Sequence, residues 1–346
     1  VAFVQSQQSQ IAGLFFCPHR GPLGIYKSLI LDWRVSIRVL ACGAGHNPTN
    51  NLETTKMVNV LITGTSTGIG FATALDLGRA GHTVYATMRN PGRSPQLGET
   101  VAREKLPIKI MVMDVDSDSS VAGTVKAIHA EGGQVDVLVN NAGAGAFGAV
   151  EELPLDTFRA IMETNYFGAL RCIQAVLPEM RERKSGCIIN VSSVSGRAAN
   201  SPLAAYTASK HALEAMSEAL AQEAKPFNIR VAIVEPGIID TPMSRRAEVP
   251  LDGTKYRQVR RYAKLFRAAF ESEAPRPPSL VAEAIRGIIE SGTWKLRHPV
   301  GPGSVPAIEI RKTMSDEEWV ERGALDDDAW YERIEREFGL DVRPKG

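Results

Sequence analysis

From Asn59 onward the chain alternates short, continuous apolar runs with longer stretches whose apolar residues recur every three or four positions. The runs NVLITG (59–64), TVYATMR (83–89), IKIMVMDV (108–115), VDVLVNNAG (135–143), GCIINVSS (186–193) and IRVAIVEPG (229–237) read as strands. Residues 68–81, 117–131, 155–183 and 204–225 carry helical spacing, and Pro226 ends the last of these. Strands apolar on both faces belong in a parallel sheet covered by helices on each side. The pattern therefore predicts an α/β fold, a single doubly wound Rossmann-type domain around a central parallel sheet. The Pro-rich spots 273–279 and 297–306 are expected to be loop boundaries.

The first 56 residues carry no sustained period. SLILDWRVSIRVLACGAG superficially suggests a signal core, but Asp32, Arg34 and Arg38 interrupt it. Met57 stands directly before the first strand. Residues 1–56 are therefore expected to be an extension: an upstream start artefact, possible disorder, or a genuine arm packed on the domain. The dinucleotide-binding and catalytic domain is expected over 57–300, with a lid at about 242–280 and a tail over 301–346.

Composition narrows the class. The 346 residues carry a formal charge of +1 and are 44% hydrophobic, enough for one large α/β domain. So small a charge gives no electrostatic ground for a nucleic-acid partner. Cys17, Cys42, Cys172 and Cys187 show no metal-ligand spacing, which fits a reducing cytoplasm. No apolar run is long enough to span a bilayer.

Two stretches carry candidate chemistry. In LITGTSTGIGFATALDLG, Gly64, Gly68 and Gly70 sit between a strand and a helix. Glycines there allow a tight turn and close approach of a pyrophosphate to a helix N-terminus. The next strand ends in Arg89 with no acid beside it. A carboxylate at that place binds the ribose hydroxyl of NAD, whereas an arginine accommodates the 2′-phosphate of NADP, so NADP is expected over NAD. In AAYTASKHALEA, Tyr206 and Lys210 lie four apart and face each other on a helix. Alone, the pair is an ordinary half-buried tyrosine beside a solvated lysine, or a phenol tuned by a cation for proton transfer.

Taken in order, TGTSTGIG (63–70), NNAG (140–143), METNYFGAL (162–170), IINVSSVSG (188–196), YTASK (206–210) and PGIIDT (236–241) resemble the short-chain dehydrogenase/reductase family over about residues 57–245. The resemblance implies that Tyr206 is the acid/base, that Lys210 lowers its pKa and holds the nicotinamide ribose, and that Ser193 binds the substrate oxygen. It implies that Asn165 holds a water linking Lys210 to solvent. Gly64, Ser66, Ile69 and Gly70 would line the pyrophosphate turn, Asp114 and Val115 would face the adenine, and Asn141 would lie near its ribose. Pro236, Gly237, Ile239 and Thr241 would close over the nicotinamide. Hydroxyl donors would meet the developing oxyanion, so no metal is called for.

Beyond Thr241 the resemblance thins. The basic stretch YRQVRRYAKLFRAAF has apolar positions Val259, Tyr262, Leu265 and Phe266. The family places a substrate lid there, and a long lid points to a bulky apolar alcohol, although an ordinary surface helix has the same pattern. YATMR and RHPVG are similar to the branch of hydroxysteroid and retinol dehydrogenases. The amphipathic tail 315–339 packs on the domain or against a second subunit, and a homodimer or homotetramer is expected. The alternative function is a non-catalytic protein of the same fold that senses the dinucleotide, but such relatives typically lose the tyrosine or the lysine kept here.

Overall fold

The computed structural model describes residues 56–248, 253–274 and 276–344. The expectations for residues 1–55, for the parts of the lid at 249–252 and 275, and for the tail at 345–346 fall outside the described residues.

Seven strands form one parallel sheet in the order β3-β2-β1-β4-β5-β6-β7. They are β1 (Asn59–Thr63), β2 (Thr83–Met88), β3 (Ile108–Val112), β4 (Val137–Asn140), β5 (Gly186–Val191), β6 (Ile229–Pro236) and β7 (Arg297–Val300). The first half of the sheet is built outward from β1 through β2 to β3, and the second half from β4 on the other side. Between β1 and β4 the strand order reverses, and the loops leaving their carboxyl ends diverge into a crevice.

The helices are α1 (Gly68–Arg79), α2 (Pro95–Glu104), α3 (Asp118–Ala130), α4 (Leu155–Met162), α5 (Gly168–Arg183), α6 (Ala204–Ala224), α7 (Pro242–Arg245), α8 (Arg257–Glu271), α9 (Ser279–Ser291), α10 (Ser304–Thr313), α11 (Asp316–Glu321) and α12 (Asp327–Phe338). Alternate β1 residues feed two core layers. Val60 and Ile62 pack with Leu77 of α1 and Val281 and Ile285 of α9. Leu61 packs on the opposite face with Val125 of α3, Val176 of α5 and Leu220 of α6. Each such fully buried aliphatic side chain stabilises the fold by roughly 1.5–3 kcal/mol.

Two readings of the sequence are corrected. Residues 155–183 are not one regular helix: a π turn at Glu163–Phe167 separates α4 from α5. Within 297–306, residues Arg297–Val300 are not loop but the edge strand β7, pairing with β6 in the register Glu235 to Pro299. Arg, His and Pro hide the strand pattern, and the proline is tolerated because an edge strand need not use every backbone N–H.

Candidate active site

β1 hands the chain to a turn that only glycine can make. Gly64 and Gly68 have φ of 71° and 60°. A Cβ on Gly70 would lie 2.4 Å from the Gly64 carbonyl oxygen, and one on Gly64 would lie 2.7 Å from the Ala142 backbone. Thr67 precedes α1 in an extended conformation without a side-chain cap. The first-turn N–H groups of α1 are therefore available to an anion. The Asn141 amide donates to the carbonyl oxygens of Thr63 (2.9 Å) and Gly64 (3.1 Å), so it fixes the turn from the next strand.

Above the crevice lies a cavity of about 310 Å³. Gly64, Ser66, Ile69, Arg89, Asp114, Val115, Asn141, Pro236, Gly237, Ile239 and Thr241 are among the residues that line it, together with Ser193, Tyr206 and Lys210. Gly70 and Asn165 stand behind this lining. Gly70 is buried in the first turn of α1, where it permits the close approach to Gly64. Arg89 stands exposed just past β2, next to Asn90, with no carboxylate adjacent in sequence. Beyond β3, Asp116 was missed in the sequence: Thr164 donates to its Oδ2 (2.9 Å), and its Oδ1 is buried without a partner among the described residues.

The α6 helix brings Tyr206 and Lys210 to the cavity on one face. Lys210 Nζ donates to the Val191 carbonyl oxygen at the end of β5 (2.8 Å) and lies 5.7 Å from the Tyr206 ring centre. Burial pushes the Lys210 ammonium down to about 8, opposed by Glu214 one turn further along α6. Burial also pushes the Tyr206 phenol above its ordinary value, with the Ser193 hydroxyl pulling the other way. This corrects the expected direction for Tyr206. In the chain alone, burial outweighs the hydrogen bond with Ser193. Ser193 follows β5 in extended backbone, and its Oγ accepts from the Ser195 N–H (3.1 Å). Ser192 faces the other way, toward Glu214.

Asn165 occupies the π turn and is 1% exposed. Its amide bonds both backbone groups of Ala144 (2.7 and 2.9 Å) and donates to Ser209 Oγ (2.9 Å), which in turn donates to the Tyr206 carbonyl oxygen. It thus ties the loop after β4 to the helix that carries Tyr206. Helical periodicity gives no hint of this, because the π turn rotates Asn165 off the ordinary helical register. A second support was also illegible in sequence. Buried Glu235 of β6 receives Arg197 (3.1 Å) and Arg297 of β7 (3.4 Å), and Arg297 also reaches Glu214 of α6 (3.0 Å).

The cavity's outer wall is apolar. Tyr262 and Phe266 of α8 stack 4.8 Å apart and meet Phe147 at 6.1 and 6.3 Å between ring centres. Phe147 and Met243, both lining the cavity, carried no signal in the sequence. The basic face of α8 is turned to the tail: Arg261 pairs with Asp327, Lys264 donates to the Tyr331 hydroxyl, and Gln258 donates to the Gly323 carbonyl oxygen.

A doubly wound sheet with a glycine turn, a Ser-Tyr-Lys group and an apolar outer wall defines a dinucleotide-dependent oxidoreductase. The chain belongs to the short chain dehydrogenase family, whose sequence profile matches residues 58–250. It is 38% identical over 267 residues to retinol dehydrogenase 8 of Bos taurus, covering 73% of this chain and 84% of that one. Its fold is similar to that of a short-chain dehydrogenase from Streptomyces avermitilis (TM-score 0.64, 32% identity, 78% of this chain and 100% of that one). It is also similar to a gluconate 5-dehydrogenase from Burkholderia cenocepacia solved with NADP and tartrate (TM-score 0.58, 25% identity, 68% and 89%). The family binds a nicotinamide dinucleotide and carries out alcohol/carbonyl oxidoreduction. Among the described residues no helix is long and apolar enough to cross a membrane.

Proposed function

We propose that this chain is an NADP(H)-dependent oxidoreductase that interconverts a bulky apolar secondary or primary alcohol and its carbonyl compound, with Tyr206 as acid/base. The observation that carries this reading is that Ser193, Tyr206 and Lys210 line one cavity with the glycine turn. The turn is a cradle that any Cβ would fill, and the uncapped start of α1 suits a pyrophosphate. The dinucleotide supplies or accepts the hydride.

The chain's own residues handle the proton and the charge. In reduction, Ser193 and Tyr206 donate hydrogen bonds to the substrate carbonyl oxygen, and the Tyr206 proton passes to that oxygen as negative charge develops. In oxidation the phenolate takes the proton back from the alcohol. The Lys210 ammonium, 5.7 Å from the Tyr206 ring centre, would hold the cofactor ribose. Asn165 keeps one lone pair on Oδ1 after accepting from Ala144, which suits a water between it and Lys210. Asp114, Val115 and Asn141 serve the adenosine end, and Pro236, Gly237, Ile239 and Thr241 the nicotinamide end.

Arg89 supports NADP over NAD: it is the cation at the end of β2, and no acid beside it opposes a phosphate. The NADP bound by the Burkholderia protein, and the apolar alcohol for which the bovine relative is named, are in keeping with this reading. Oxidation of NADPH and NADH with a panel of apolar ketones and aldehydes tests it. Turnover is expected with NADPH. Arg89→Asp should weaken NADPH binding by about tenfold or more, the worth of a charge-assisted hydrogen bond, while sparing NADH. Equal or tighter NADPH binding by the variant would overturn the cofactor assignment.

A further inference from the structure

Lys210 is short of partners for a buried cation. The described residues give its Nζ one hydrogen bond, to the Val191 carbonyl oxygen (2.8 Å). One turn further along α6 stands Glu214, only 4% exposed, and residues at this spacing are neighbours on a helix. Arg297 of β7 holds the Glu214 carboxyl from one side, its Nε donating to Oε2 (3.0 Å). Arg297 is shared with Glu235 of β6 (3.4 Å) and with Glu218 of α6, and Arg197 from the loop after β5 joins the group through Glu235 (3.1 Å). His298 of β7 turns instead to the Lys295 carbonyl oxygen (2.8 Å). Glu214 Oε1 and Ser192 Oγ are buried without hydrogen-bond partners among the described residues. Both crowd Gly196: a Cβ there would lie 3.2 Å from Oε1 and 2.6 Å from Ser192 Oγ. One oxygen of the Glu214 carboxyl is thus uncompensated inside the protein, where its charge acts more strongly on Lys210 than it would in water.

We propose that Glu214 is a positioning residue for the reaction: its carboxylate, kept ionised by Arg297, holds Lys210 as an ammonium and so sets the upper pH limit at which Lys210 serves the cofactor. The inference rests on the functional reading above and deepens it. Burial disfavours the Lys210 ammonium, and the charge of Glu214 acts against burial. Burial, and then the like charge of Glu235, push the Glu214 carboxyl above its ordinary value, with Arg297 opposing them. The arginine is therefore part of the device, because a neutral Glu214 would give Lys210 nothing.

The pH dependence of NADPH affinity, and of kcat/KM for ketone reduction, is the test. In the wild type both should hold until Lys210 loses its proton and decline above that pH, and Lys210→Met should abolish the decline in affinity. Glu214→Gln, which removes the charge and keeps the shape, should move the decline down by about one to two pH units. Glu214→Asp should bring it back toward the wild-type position. Glu218→Gln removes only the exposed partner of Arg297 and should leave it in place. A role in packing alone would lower activity at every pH without moving the decline. Should Glu214→Gln not fold, the double variant Glu214→Leu with Arg297→Leu exchanges the buried pair for apolar side chains, and the same downward move is expected. A decline that stays in place in the folded variant, or wild-type NADPH affinity that does not titrate, overturns the proposal. NADPH affinity that titrates as stated, with no ketone reduced by the wild type, would instead be failure of the functional reading.

Discussion

An ammonium is expensive to bury, and Lys210 is buried where the fold gives it one carbonyl oxygen and a distant glutamate. Its pKa falls from 10.5 to about 8. The sign follows from proton binding: between pH 8 and 10.5 the unfolded chain holds this proton and the folded chain does not. Stability from this group therefore rises through that window and is reduced by about 3 kcal/mol below it. In unfolding measurements, Lys210→Met should gain on the wild type most below pH 8, and the gap should narrow by that amount toward pH 10.5. The pH-independent loss of the bond to Val191 offsets the gain uniformly. A gap that does not change with pH contradicts a depressed Lys210. Spacing alone placed Tyr206 and Lys210 on one face of a helix; their proposed roles, and that of Ser193 two residues past β5, came from the family resemblance and not from spacing. The electrostatic balance was not legible. Burial of Tyr206 and the commitment of Lys210 to Val191 arise from elements distant in sequence.

Among the elements, the π turn between α4 and α5 ties the loop after β4 to the helix that carries Tyr206. It rotates Asn165 inward, where its amide bonds Ala144 on one side and Ser209 on the other. Asn165→Leu keeps similar bulk but leaves the Ala144 N–H and carbonyl without their partner. Ala144 is half-buried, so water can meet part of that need, and the variant should lose up to about 1–3 kcal/mol in urea unfolding and lose turnover too. Full wild-type stability in that variant would mean that the loop after β4 does not need this tie. The first six strands in chain order were legible as short apolar runs, including β3 at the sheet's other edge. Arg297–Val300 was not: Glu235 and Glu214 meet Arg297 only once β6 and α6 are folded beside it. The helix α8 was legible as a basic amphipathic segment, but not the tail contacts of its basic face, which join residues such as Arg261 and Asp327 far apart in sequence.

At the scale of the molecule, the sheet's reversal between β1 and β4 opens the crevice, Tyr262 and Phe266 of α8 wall its cavity, and the tail packs on α8. The glycine turn, the β2 terminus and the β6 loop border one cavity with the Ser193, Tyr206 and Lys210 group. The central claim is that Tyr206 moves the proton, and Tyr206→Phe tests it most directly because it removes one hydroxyl and little shape. With NADPH and an accepted ketone, turnover should fall by roughly 10²–10⁴-fold, the range typical of general acid/base catalysis. NADPH affinity should barely change, since Lys210, the turn and the β6 loop remain. Near wild-type turnover in Tyr206→Phe would contradict the account.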